Sequence, residues 1–438
     1  MSRAALLCIF ILSTSGLMSQ HLLTDDPDTT ALNSRRLKMI SEKYGNLSFS
    51  GYMQPQFQIA TKKGIVNEFE GGAFDHNVSN RFRLRRGRLK AEYLTYHKDQ
   101  SPETYFIFQF DGSEKGVNIR DFWGRYYENK WKLFSFSMGM MGRPFGYELQ
   151  LSSSTRESPE RGRMSQTLMK TERDLGALIS INKRSSTNIM KKIQLDVGLY
   201  NGQGLSGPGE FDNVKDIVSR LSIKPMGIGK LQQWSIQGGI SSIYGGIENR
   251  SPYLYETVNI AGQIRMSSDS IVGNVGKKAP RIYGGIDAEI ASKSLKWKTQ
   301  LRAEYIFGRQ SSTKYSSYTP GSYPVSGGIS QPLYIRSFNG AYFYLIQNIM
   351  SAKNQLVLKY DWYDPNTKIE GKGILENSGF TDADIMFATV GVGLIHQVNR
   401  NLKLMAYYSH PMNESSGITN YTSDIDDDIF TLRTQFMF

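Results

Sequence analysis

The chain has 438 residues; 39% are hydrophobic and 12% aromatic, and Lys+Arg outnumber Asp+Glu by 52 to 40, for a net charge of +12. One cysteine excludes a disulfide framework and a thiolate metal cluster, and five histidines leave little room for a multinuclear histidine site. The apolar content excludes a mostly disordered chain. The positive charge admits small anions, anionic lipid or nucleic acid as partners.

Residues 1–19 read as a secretory signal peptide. Arg3 precedes an apolar run, Ala4 to Leu12, and the small residues Ser13, Ser15, Gly16 and Ser19 follow. The run is too short to span about 30 Å of hydrocarbon. It contains Cys8, so removing the signal removes the one cysteine. Export argues against nucleic acid as a partner. Residues 20–46 are polar and are read as a periplasmic N-terminal segment: coil, linker or plug.

From Leu47 the pattern has period two. Leu47, Phe49, Met53, Phe57 and Ile59 alternate with Ser48, Ser50, Gln54, Gln56 and Gln58, with Pro55 tolerable at an edge or bulge. The second strand is the most basic. A bulge at Arg85–Gly87 sends Phe82, Leu84, Leu89, Ala91 and Tyr93 to one face and Arg81, Arg83, Arg85, Arg88 and Lys90 to the other. The same alternation recurs in Phe106, Phe108 and Phe110, in Ile193 to Leu199, in Ile282 to Ile290, in Leu295 to Phe307 and in Leu356 to Trp362.

Sixteen strands are expected, near 47–60, 80–94, 103–111, 117–127, 130–142, 173–183, 190–200, 213–224, 231–244, 279–291, 295–308, 338–349, 354–364, 383–397, 401–410 and 428–438. Connections after odd strands are long (61–79, 143–172, 245–278, 309–337, 365–382), with the second the one short exception; those after even strands are mostly brief. No later segment offers eighteen uncharged apolar residues, so helical spans are excluded. Loops sorted by length onto the two ends are the mark of a transmembrane barrel. The expected fold is therefore all-β: a 16-stranded antiparallel transmembrane β-barrel over 47–438, with long extracellular loops and short periplasmic turns. Phe430, Leu432, Thr434, Phe436 and Phe438 share one face of a last strand that finishes on an aromatic.

Several segments resemble the phosphate-selective porin family, the O/P-type outer-membrane porins. Gly142-Arg143-Pro144-Phe145-Gly146-Tyr147-Glu148, continued by Ser154, Arg156, Glu160 and Arg161, is similar to that family's Gly-basic-Pro-Phe-Gly-x-Glu stretch. Tyr200-Asn201-Gly202 with Lys215-Asp216 and Arg220, and Lys359-Tyr360-Asp361-Trp362-Tyr363-Asp364-Pro365-Asn366, resemble two further blocks. The resemblance implies a trimeric porin in the outer membrane of a Gram-negative bacterium, with its third loop, 143–172, folded inward.

The candidate pore and anion-binding residues are Arg81, Arg83, Arg85, Arg88, Lys90, Arg143, Arg156, Arg220, Lys298, Arg302 and Lys359. Charge on the lipid side at mid-membrane costs ~2–4 kcal/mol per residue, which sends these side chains to the lumen. Guanidinium groups there attract anions, and their planar fork of donors suits phosphate. Loop 143–172 carries five bases (Arg143, Arg156, Arg161, Arg163, Lys170) against four acids (Glu148, Glu157, Glu160, Glu172), a net charge of only +1.

The expected function is passive diffusion of small hydrophilic solutes, anion-leaning, with phosphate or polyphosphate as specific candidates and outer-membrane lipid as surroundings. A general non-selective porin and a non-channel adhesin or assembly partner using loops 245–278 and 309–337 are the alternatives. No cofactor, metal or catalytic residue is expected. His396 and His410 lack an obvious serine partner, and Asp424, Asp426, Asp427 and Asp428 read as a solvated acid run rather than a calcium loop.

Overall fold

The computed structural model describes residues 45–438, apart from 186–188, 207–208, 229–232, 293 and 295. The expected signal peptide with Cys8, residues 20–44 of the N-terminal segment, the first two positions of the ninth expected strand, Lys293 and Leu295 lie outside the described residues.

Strands form where apolar and polar residues alternate. In chain order the wall begins with β1 (Leu47–Ala60), β2 (Asn80–Tyr96), β3 (Pro102–Ser113), β4 (Gly116–Tyr127), β5 (Phe134–Gly142) and β6 (Arg173–Ile181). It continues with β7 (Ile193–Tyr200), β8 (Asp216–Ile228) and β9 (Trp234–Glu248). A hairpin, β10 (Tyr253–Ile260) and β11 (Gln263–Ser270), rises from the next loop. The wall resumes with β12 (Lys278–Ser292) and β13 (Thr299–Ser312); β14 (Val325–Ser326) and β15 (Ile329–Ser330) make a minimal loop hairpin. The last five wall strands are β16 (Leu333–Asn348), β17 (Asn354–Asp364), β18 (Phe387–Asn399), β19 (Leu402–Asn413) and β20 (Ile429–Met437).

Each wall strand pairs antiparallel with the next, and β1 pairs with β20, so sixteen strands close into a barrel with no open edge. All sixteen expected strands are present. The largest boundary differences have local causes. β5 starts at Phe134 because 128–133 is a turn held by Glu128, whose carboxylate accepts the Trp131 and Leu133 N–H groups. β13 starts at Thr299, so Lys298 and Lys296 lie in the preceding turn and not on the wall. β16 starts at Leu333, five residues early, because its first residues pair in parallel with β10.

The greasy face is continuous. Phe106, Phe108 and Phe110 of β3 are exposed, as are Leu358 and Tyr360 of β17 and Leu432 and Phe436 of β20. Cross-strand rings pack there: Phe108 meets Phe122 at 4.4 Å and Phe57 meets Phe82 at 4.6 Å. Three of the five tryptophans, Trp131, Trp234 and Trp297, are exposed at the short-turn end, where an aromatic belt would sit at a membrane interface.

The expected bulge is real. Between Met53 and Pro55 the register of β2 steps from Gly87 to Leu84, so Arg85 and Arg86 together oppose Gln54. Pro55 brings no backbone N–H, and the bulge is where the ladder can do without one.

The lumen is not lined by polar groups alone. Inward-facing Tyr283, Phe338, Tyr342, Tyr344 and Tyr363 pack with Phe145, Leu149, Met164 and Leu168 of segment 143–172 in one buried cluster. Inside this barrel a loop has its own hydrophobic anchorage.

Candidate permeation site

Segment 143–172 enters the barrel directly after β5. Phe145 is fully buried and meets the Tyr283 ring at 6.2 Å. Gly146 adopts φ +64, and a side chain there would collide with the Glu304 carboxylate, so this turn requires glycine. Glu304 in turn accepts the backbone N–H groups of Tyr147 (3.1 Å) and Glu148 (2.9 Å). A short helix, α1 (Arg163–Leu168), follows, and the Arg163 N–H donates to Asp361 on β17.

The loop crosses to the opposite arc of the wall. Glu160 receives Arg85 (2.8 Å) and Arg86 (2.8 Å) from β2 and Arg433 (3.1 Å) from β20. Gln54 and Lys403 donate to the carbonyls of Ser153 and Ser154. On the other side Arg302 spans Glu157 of the loop (3.1 Å) and Glu289 of β12 (2.8 Å). The lumen therefore has a basic arc on β2, β19 and β20 and an acid-rich arc on β12 and β13, where Asp287, Glu289 and Glu304 are buried. Such an arrangement places a field across the lumen.

The remaining candidates are mostly engaged. Arg81 donates to the carbonyls of Gly72 and Ala73 and stacks on Phe74 at 3.8 Å. Arg83 pairs with Glu114 and holds the Gly71 carbonyl. Segment 61–79 is thus drawn over the basic strand, an approach that no sequence period marks. Arg88 pairs with Asp111 (2.9 Å) and Lys90 with Glu92 (2.9 Å). Arg143 donates to the Thr171 carbonyl at 2.6 Å and lies 3.9 Å from Asp174. Arg220 binds Asp287 and Lys359 binds Asp361. Lys298 sits in the turn immediately before β13 and not on the strand where the sequence reading placed it.

Arg156 differs from all of these. It is only 2% exposed, and none of its three guanidinium nitrogens has a hydrogen-bond partner among the described residues. Its strongest electrostatic neighbours are Arg86, Glu160 and Glu148. Arg86, Lys403 and Arg433 join this cluster without having been singled out in the sequence. Arg86 violates strict alternation, and only the bulge turns it inward. Lys403 and Arg433 follow alternation and stood unnoticed on the polar faces of the last two strands.

Two motifs work outside the constriction. Gly202 adopts φ +96, and a Cβ there would stand 2.6 Å from Arg281 Nη1; its N–H donates to Asp174 and its carbonyl accepts from Arg281. Asn366 is fully buried and ties Thr257 on the β10–β11 hairpin to Asp384, which pairs with Arg336 on β16. The acidic run has local partners: Asp424 accepts the Asn413 N–H, Asp427 accepts Asn67, and Asp428 contacts His410. Burial pushes the Asp427 carboxyl up to about 6, against the pull of Arg163 and the Asn67 hydrogen bond. His396 contacts Asn354.

A closed sixteen-stranded barrel with an inward third loop has the fold of the outer-membrane porins. Among solved structures, OprB of Pseudomonas putida is similar over 92% of this chain and 96% of its own, with 10% identity and a TM-score of 0.59. The outer-membrane channel DcaP of Acinetobacter baumannii is similar over 90% of this chain and 97% of its own, with 12% identity and a TM-score of 0.50. OmpF of Salmonella typhi, in complex with daunomycin, is similar over the same shares, with 10% identity and a TM-score of 0.50. No protein-family model matches the chain, and no curated protein matches it in sequence.

Proposed function

We propose that this chain is an outer-membrane porin of a Gram-negative bacterium, working as a homotrimer, through which small hydrophilic solutes pass down their gradients. The passage leans toward anions, with phosphate among the candidates. The observation that carries this reading is Arg156: a buried guanidinium with three unengaged nitrogens inside a basic arc. A buried charge without a hydrogen-bond partner is costly to keep, and an oxyanion arriving beside it would supply the missing bonds.

The test is the reversal potential of single channels in planar bilayers under a KCl gradient, followed by added phosphate. Anion selectivity that falls in Arg156→Gln supports the reading, and block by phosphate supports phosphate as a solute. A general pore with little selectivity is the second reading. It is favoured by the pairing of Arg302, Arg220, Lys359 and Arg88 with wall or loop acids, which cancels much of their field. Equal chloride and potassium permeability would select it.

A further inference from the structure

At the long-loop mouth, beside the inward loop, lies a cavity of about 300 Å³ lined by residues from 167–171, 202–203 and 313–322 together with Arg143 and Arg281. That volume is at the lower end of small-molecule sites. Its lining is rich in hydroxyl groups, from Thr167, Ser316 and Thr319 among others, and it holds three bases, Arg143, Lys170 and Arg281.

Three residues of the lining carry a buried polar atom with no hydrogen-bond partner among the described residues: Arg143 Nε, Thr167 Oγ1 and Gln203 Oε1. Arg143 and Thr167 are at least nine-tenths buried. One atom is a donor, one an acceptor, and the hydroxyl is both. A simple oxyanion offers only acceptors and would leave the Gln203 oxygen unmet. A solute with hydroxyl groups supplies both donors and acceptors.

The charge balance is also specific. Arg281 is paired with Asp216 at 2.6 Å, and Arg143 faces Asp174. Lys170 has no acidic partner among the described residues and lies 5.0 Å over the Tyr318 ring. One positive charge is left over, which fits a solute with a single negative charge.

We propose that this cavity is a binding site for a small hydroxylated monoanion of the sugar-acid type, which captures the solute before it reaches the constriction. The proposal rests on the porin reading for its route but not for its chemistry.

The experiment compares gluconate with sorbitol, acetate and sulfate, each added on the long-loop side of single channels in KCl. Gluconate is expected to block at a concentration about tenfold lower than the other three, since each lacks either the charge or the hydroxyl groups. Lys170→Gln, an exposed change that spares the fold, and Thr167→Val are each expected to weaken gluconate block about tenfold. Calorimetry of gluconate on the detergent-solubilised protein gives the same comparison without any current. Absence of current with intact, variant-sensitive binding overturns the porin reading and leaves the site standing. Current with no gluconate preference, or a preference unchanged in both variants, overturns the site.

Discussion

Glu160 and Arg433 lie 273 residues apart in the chain and meet inside the barrel at 3.1 Å. Arg85 and Arg86 close on the same carboxylate, so one loop acid holds three guanidinium groups from both sides of the seam. Glu160→Gln leaves those three charges uncompensated in a buried site. Removing one partner of such a pair costs ~3–5 kcal/mol. The expected outcome is a lower unfolding temperature together with a shift of the reversal potential toward anions. Both are readable on the same refolded protein.

The turn at Gly146 fixes where the loop enters. Gly146→Ala forces a Cβ against Glu304 at a positive φ, and the left-handed conformation alone costs an ordinary residue ~1–2 kcal/mol. The loop is expected to lift from the β12–β13 arc. Single-channel conductance should rise, with the barrel itself still folded by circular dichroism.

Neighbouring positions on β17 should each lose stability, through opposite faces of the wall. Leu358 is exposed on the greasy face and Lys359 is buried in the lumen. Leu358→Arg is expected to cost ~2–4 kcal/mol in unfolding from liposomes. Lys359→Met leaves Asp361 without its cation and should reduce stability through the lumen. A detergent titration that found Leu358→Arg neutral would contradict the assigned face.

Asp427 gives a pH dependence of known sign. Its folded value, about 6, lies above the ordinary carboxylate value of ~3.9, so the folded chain holds the proton more tightly. The associated stability is fully present below pH ~4 and is lost as pH rises through about 6. Two units correspond to roughly 3 kcal/mol at most. Unfolding measured at pH 4 and pH 7 should show this difference in the native chain and a smaller one in Asp427→Asn.

The barrel wall was legible because a membrane strand has only two environments, and each residue must choose one. Phe106 to Phe110 and Leu356 to Trp362 declare that choice plainly. Even the bulge could be placed, since Leu84 and Leu89 cannot share a face without one. The interior was less legible. In β16 the run Tyr342-Phe343-Tyr344-Leu345 is apolar on both faces, so its alternation hides two inward tyrosines that anchor the loop. Arg86 and the carbonyls of Gly71 to Ala73 find their partners through tertiary approach, which has no period. The β10–β11 hairpin was lost inside a long loop because its residues pack on the mouth and not on a membrane face.

The seam also sets an order of events. Gly51 and Phe438 exchange backbone hydrogen bonds at 3.2 and 3.0 Å, and Gln54 reaches Gln435 across 381 residues. Contacts this distant in sequence form late and slowly. Until β20 arrives, the wall is an open curved sheet, and Glu160 lacks one of its three arginines. The same step that zips the cylinder shut therefore completes the grip on the inward loop. An unzipped barrel would be a wide hole as well as an unstable one, so closing the wall and narrowing the passage are a single act of assembly.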